Sequence, residues 1–134
     1  MKNGCKLRFL LLDPTSPSVP IWDSTTRIPT VKQDIERTLN SSLSIVKRIG
    51  TKDKGKCEVR LSNTFQSFSI VAFDPSKSTG WMIVEYHAYK ATLGDRPHIL
   101  LTQEADAKWF EFYKNQYERI WAESTNWTPP ENES

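Results

Sequence analysis

The stretch "HAYKATLGD" holds His87, Lys90 and Asp95, spaced His-x-x-Lys-x4-Asp. An imidazole with a pKa of about 6.5 can serve as nucleophile, leaving group or general acid at neutral pH. A lysine beside it can hold a transferring phosphoryl group by its charge. A second set lies upstream, in "QSFSIVAFDPSKSTGW", where Ser67 and Ser69 stand two residues apart and Asp74 follows. Residues two apart on a strand point the same way, so the two hydroxyls share a face. Hydroxyls donate and accept hydrogen bonds and can bind a ligand. Neither serine has a base beside it in sequence, so neither is an activated nucleophile. Asp13, Ser67, Ser69, Asp74 and His87 are therefore read as ligand-binding candidates, and no residue as catalytic. The plainer reading of the serines is small polar residues on a half-exposed strand face.

The His87 set is the less restrictive of the two. On a strand His87 and Lys90 would point to opposite faces. Thr92, Gly94 and Pro97 argue for a loop, where spacing fixes nothing. His87 and His98 form no metal-ligand spacing with Asp, Glu or Cys. A Gly-rich phosphate loop and a G-x-S-x-G elbow are both missing. The sequence thus predicts no metal and no cofactor.

These residues must be positioned by the elements around them. "CKLRFLLLD" (5–13) reads as a strand buried on both faces, ended by Asp13-Pro14. The proline-rich stretch 14–29 reads as a long loop. Thr30 and Gln33 form a capping box for a helix with Val31, Ile35, Leu39, Leu43, Val46 and Ile49 on one face, ended by Gly50. "CEVRLS" (57–62) and "QSFSIVAFD" (66–74) read as a hairpin, followed by strands at 81–87 and 98–102. A closing helix from near Glu104 puts Trp109, Phe112, Tyr113, Gln116, Tyr117, Ile120 and Trp121 on one wide core face. The stretch 125–134 lacks periodicity and reads as a mobile tail after a single domain over 1–124. The expected class is mixed α/β (α+β), with a central mixed sheet of about five strands packed with two long helices.

Composition narrows the function classes. The chain has 134 residues, 37% hydrophobic and 25% charged, which fits one ordinary globular domain. Its formal charge is +2, too balanced to argue for direct nucleic-acid binding. Lys47, Arg48, Lys52, Lys54 and Lys56 cluster, and a solvated helix end and loop explain them. No apolar run approaches the roughly 18 residues of a membrane span. Cys5 and Cys57 are the only cysteines, without CxxC spacing, and read as reduced thiols of a cytoplasmic protein.

Several stretches together resemble a known family. "GCKLRFLLLDPTSP" is similar to the Gly-x-x-x-Arg-x-Leu-Leu-x-Asp-Pro-x-Ser-Pro opening of phospholipase D-like domains, of the type fused to bacterial regulatory proteins. "CEVRLSNTFQSFSIVAFD" resembles the family's Val-Arg-Leu hairpin and the strand that carries His-x-Lys-x4-Asp in active members. Ser67 and Ser69 stand at the His and Lys positions, and Asp74 at the Asp position. "KWFEFYKNQYERIWAES" resembles the closing helix, through Phe110, Tyr113, Glu118, Arg119 and Trp121. The likeness covers most of residues 4–124. Only "MKN" precedes Gly4, where family domains carry a further strand and helix. The resemblance implies a partial phospholipase D-like half with a degenerate site.

Three functions follow from these readings. The first is a non-catalytic sensing or assembly module of a signalling or regulatory protein that binds a nucleotide or other phosphorylated small molecule. The second is a phosphodiesterase or nuclease with an altered site built on His87 and Lys90. The third is a purely structural self-association domain. Active members of the family pair two similar halves around one site, so the resemblance also implies a homodimer or packing against an upstream domain of the same protein.

Overall fold

A computed structural model describes residues 6–25, 31–49 and 57–128. The first layer starts with strand β1 (Leu7–Leu12), helix α1 (Ser18–Thr25), helix α2 (Val31–Ile49) and strand β2 (Cys57–Ser62). β1 and β2 pair in parallel, from Leu7 opposite Cys57 to Leu12 opposite Ser62. Parallel neighbours need a crossover, and α2 supplies it. Val31, Ile35 and Leu39 are buried at helical spacing and pack with Val59, Phe9, Leu11 and Leu61 on one sheet face. The Leu43 position of the predicted stripe is half-buried. Thr30, the predicted cap, lies outside the described residues. The Asp23 carboxylate instead accepts the Val31 N–H at 2.9 Å, so α1 caps α2.

The proline-rich stretch, expected as loop, winds into α1 between Ser18 and Thr25. Pro20 falls in the first turn, where its missing N–H costs nothing. Val19 is buried and Trp22 packs against the same core, so the turn gains apolar contact.

The second layer holds strands β3 (Phe68–Phe73), β4 (Trp81–Tyr86) and β5 (His98–Thr102), then helix α3 (Ala107–Glu123); the short strand β6 (Thr125–Asn126) that follows returns to β2. β3, β4 and β5 form an antiparallel sheet in that order. α3 covers its inner face: Phe110 and Tyr113 pack on Met82, Val84 and Leu101, with Phe68, Ile70 and Tyr86 at the margin. The Tyr113 hydroxyl meets the Tyr86 hydroxyl, so two polar tips satisfy each other.

The class is mixed α and β with two long helices, as expected. The strands, however, divide into two three-stranded sheets, β1-β2-β6 and β3-β4-β5, instead of joining in one. The expected β2–β3 hairpin is not formed. β1 fills one edge of β2 and Thr125–Asn126 fills the other, so β2 has no edge left for β3. The start of the expected tail is thereby ordered, and the Trp127 N–H donates to the Val59 carbonyl at 3.0 Å.

β1 is not buried on both faces. Arg8 and Arg60 lie on the face away from α2, with the Trp121 ring 4.9 and 4.7 Å from their guanidinium carbons. Arg60 also donates to the Trp121 carbonyl at 2.9 Å, and Arg8 meets Glu118 at 3.2 Å. The last turns of α3 therefore close this face through arginine–tryptophan packing. α3 departs from its predicted stripe as well. Phe110, Tyr113 and Trp121 are buried, whereas Trp109 and Phe112 are 54% and 47% exposed.

Candidate functional site

Strand pairing decides which candidates meet. The His87 N–H donates to the Ser67 carbonyl at 2.8 Å, one step beyond the β3–β4 ladder. Ser69 is opposite Glu85, and Glu85 is opposite His98 on β5. Ser67, Ser69, Glu85, His87 and His98 therefore share the outer sheet face, away from α3, at one end of the sheet. Both serines are exposed.

α1 closes this end. The Trp22 indole stacks on the His87 imidazole, with ring centres 5.0 Å apart and planes 21° apart. Phe65 meets Trp22 edge-on at 5.6 Å. The Lys90 N–H donates to the Thr25 carbonyl at 2.7 Å, tying the loop after β4 to the end of α1. Trp22, Thr25, Phe65, Ser67, His87 and Tyr89 thus border a cleft of about 240 Å³. The Lys90 ammonium lies 5.3 Å from the Tyr89 ring centre, which puts a cation beside the cleft.

The His87 ring is oriented by a backbone carbonyl. Nδ1 lies 3.2 Å from the Gln66 carbonyl oxygen. A carbonyl carries no proton to give, so Nδ1 holds a hydrogen, which in the neutral ring leaves the lone pair on Nε2. Burial pushes the His87 pKa below its ordinary 6.5 and the positive charge of Arg96 adds to this, outweighing the Gln66 hydrogen bond and Glu85. The shift favours the neutral imidazole.

Next to the cleft lies a charged network. Glu85 takes Arg96 Nη1 at 3.1 Å on one oxygen and His98 Nε2 at 2.9 Å on the other. The Arg96 side chain is only 8% exposed. Its guanidinium is committed to Glu85 and is not presented to a ligand. Arg96 Nε and Trp22 Nε1 are buried without hydrogen-bond partners among the described residues.

Two of the sequence candidates stand apart. The Asp13 carboxylate accepts the Thr15 N–H at 2.8 Å and the Thr15 hydroxyl at 2.7 Å, and so builds the turn after β1. Asp74 follows the far end of β3 with φ 46° and pairs with Lys77 at 3.6 Å. Seven residues of extended chain separate it from Ser67 by about 23 Å. The cleft therefore joins Ser67 and His87, has Ser69 further along the same face, and includes neither aspartate. Trp22, Phe65 and Tyr89 come from three separate stretches, and no spacing in the sequence links them.

A second hollow, of about 540 Å³, lies at the opposite end of the sheet between Gly80, Trp81, Leu100, Thr102 and Glu104. None of the sequence candidates borders it. Among the described residues, no group of three His, Cys, Asp or Glu is placed to hold a metal ion, and no helix is long and apolar enough to cross a membrane. Cys57 is a free, buried thiol whose pKa burial raises. No family model, no curated protein and no solved structure matches this chain.

Proposed function

We propose that the chain is a non-catalytic sensing or assembly module, similar to a phospholipase D-like half, that takes a nucleotide or other phosphorylated small molecule in the His87 cleft. The observation that carries this reading is the Trp22–His87 stack beside Ser67, with Nδ1 of His87 committed to Gln66. A flat base fits aromatic walls, and the free Nε2 and the hydroxyls of Ser67 and Thr25 offer it hydrogen bonds. Lys90 beside Tyr89 supplies a charge for the phosphate. The volume of about 240 Å³ lies below the roughly 300–1,000 Å³ of pockets that enclose a whole ligand, so in this reading the cleft takes the base alone. Serines where the family's pattern has His and Lys support the non-catalytic half of the proposal. In this reading the protein works in the cytoplasm, where thiols such as Cys57 stay reduced, and assembles as a homodimer or against an upstream domain.

Titration of the 15N-labelled protein with adenosine monophosphate tests the ligand reading. Shifts should concentrate at the Trp22 indole and the Ser67, His87 and Tyr89 amides, and Trp22→Ala should abolish them. Scattered shifts, or none at millimolar nucleotide, would sink it.

The phosphodiesterase reading draws on a different feature of the same loop. The lowered pKa favours a neutral His87, Nε2 has no partner among the described residues, as a nucleophile requires, and Lys90 lies three residues on. Hydrolysis of a phosphodiester that disappears in His87→Ala would put this second reading first.

A further inference from the structure

β3 is the outermost strand in the order β3-β4-β5, with one edge unpaired among the described residues. Long uncharged edges are templates for another strand, and folded proteins usually blunt them with charge, proline or a bulge. β3 reads Phe-Ser-Ile-Val-Ala-Phe and carries none of these. Its register with β4 runs unbroken from Phe68–Tyr86 to Phe73–Trp81. Ser69, Val71, Ala72 and Phe73 are exposed.

The hydrogen-bond phase shows which backbone groups are free. The His87 N–H bonds the Ser67 carbonyl, so odd-numbered residues of β3 turn their backbone groups toward β4. The N–H and C=O groups of Phe68, Ile70 and Ala72 therefore point outward. We propose that this edge pairs antiparallel with β3 of a second copy, about a two-fold axis at Ile70, giving a six-stranded sheet. The proposal rests on the assembly half of the reading above, and its test needs no ligand.

A copy of the same strand fits for three reasons. A two-fold at Ile70 sets Phe68 opposite Ala72 of the second copy and Ile70 opposite itself, so all three outward residues find partners in phase. On the inner face the largest side chain of the set then meets the smallest, which packs without collision. On the outer face Ser69 meets Val71 and Ser67 meets Phe73 of the second copy, and just past the strand Asp74 falls opposite the neutral Gln66. No like charges face each other along the edge, and Asp74 is already paired with Lys77.

Sedimentation at micromolar concentration, with two charge variants, tests both the assembly and its register. The wild-type protein should sediment at twice the 15.5 kDa chain mass. The double variant S69K/V71K puts like charges across the axis and should fall to the single-chain mass. The double variant S69K/V71E puts opposite charges across it and should keep the dimer. In the wild type, the Phe68, Ile70 and Ala72 amides should be protected from hydrogen exchange. A monomeric wild type would overturn both this pairing and the homodimer reading. A dimeric wild type whose two variants share one mass would overturn the β3 pairing alone. If a variant misfolds by circular dichroism, the wild-type exchange decides: fast exchange at all three amides in a dimer rejects the edge.

Discussion

The Trp22 indole lies nearly parallel to the His87 imidazole, 5.0 Å away and 21° from coplanar, although 65 positions separate the two residues. This contact desolvates one ring face and joins the two layers of the fold at the cleft.

His87 should titrate below 6.5, because burial and then Arg96 lower its pKa. The unfolded chain, with the ordinary value of 6.5, binds the proton more readily than the folded one. The contribution of His87 to stability is therefore complete above pH 6.5 and declines as pH falls toward the folded pKa. Below that value the decline stops. Melting curves of the wild type and His87→Gln should diverge in slope in this window, and NMR titration of Trp22→Ala should move the His87 pKa back up. An unaltered pKa in Trp22→Ala would show that the stack does not desolvate the ring.

Trp121 is 6% exposed, and its ring packs on both Arg8 and Arg60. Truncating a large buried aromatic costs about 3–5 kcal/mol, against a total stability of about 5–15 kcal/mol. Trp121→Ala should lower the melting midpoint by about 10 °C or more, or leave the protein insoluble. A midpoint unchanged within error would mean that α3 does not close the outer face of β1 and β2.

Gly80 cannot accept a side chain. A Cβ there would stand 2.5 Å from the Asp74 carbonyl and 3.2 Å from the Phe110 ring. The first neighbour is backbone and cannot swing aside, so Gly80→Ala forces the 74–80 turn to shift. The expected loss is about 1–3 kcal/mol in denaturant unfolding, with the far-ultraviolet spectrum retained.

The purified chain should not hydrolyse bis-p-nitrophenyl phosphate or DNA above a buffer control. Among the described residues no hydrogen bond joins the Ser67 or Ser69 hydroxyl to a base, His87 Nδ1 is turned to the Gln66 carbonyl, and Arg96 is already bound by Glu85. Turnover that survives purification and is lost in His87→Ala would reverse this.

Local patterns carried much of the architecture. Val31, Ile35 and Leu39 recur at helical spacing and are the buried stripe of α2. The windows of β2, β4 and β5 were legible from apolar residues between turns. The two-residue spacing of Ser67 and Ser69 was enough to place both on one face. These features depend only on the period of the backbone, which neighbouring residues set among themselves.

Pairing and covering are of another kind. β2 and β3 look like a hairpin in sequence, but β1 and β6 occupy both edges of β2, and competition for an edge leaves no mark on the strand that loses it. Trp109 and Phe112 look like core residues, yet α3 spans two small sheets and these two find no cover from either. Trp22 looked like a loop residue until Pro20 and the buried Val19 placed it in a helix over His87. The sequence alone determined α2 with its apolar stripe and the windows of β2, β4 and β5, because periodicity is local. Only the tertiary structure decided that His87 has an aromatic neighbour, a carbonyl partner for Nδ1 and, among the described residues, no aspartate bordering its cleft, because those depend on which distant surfaces exclude water together.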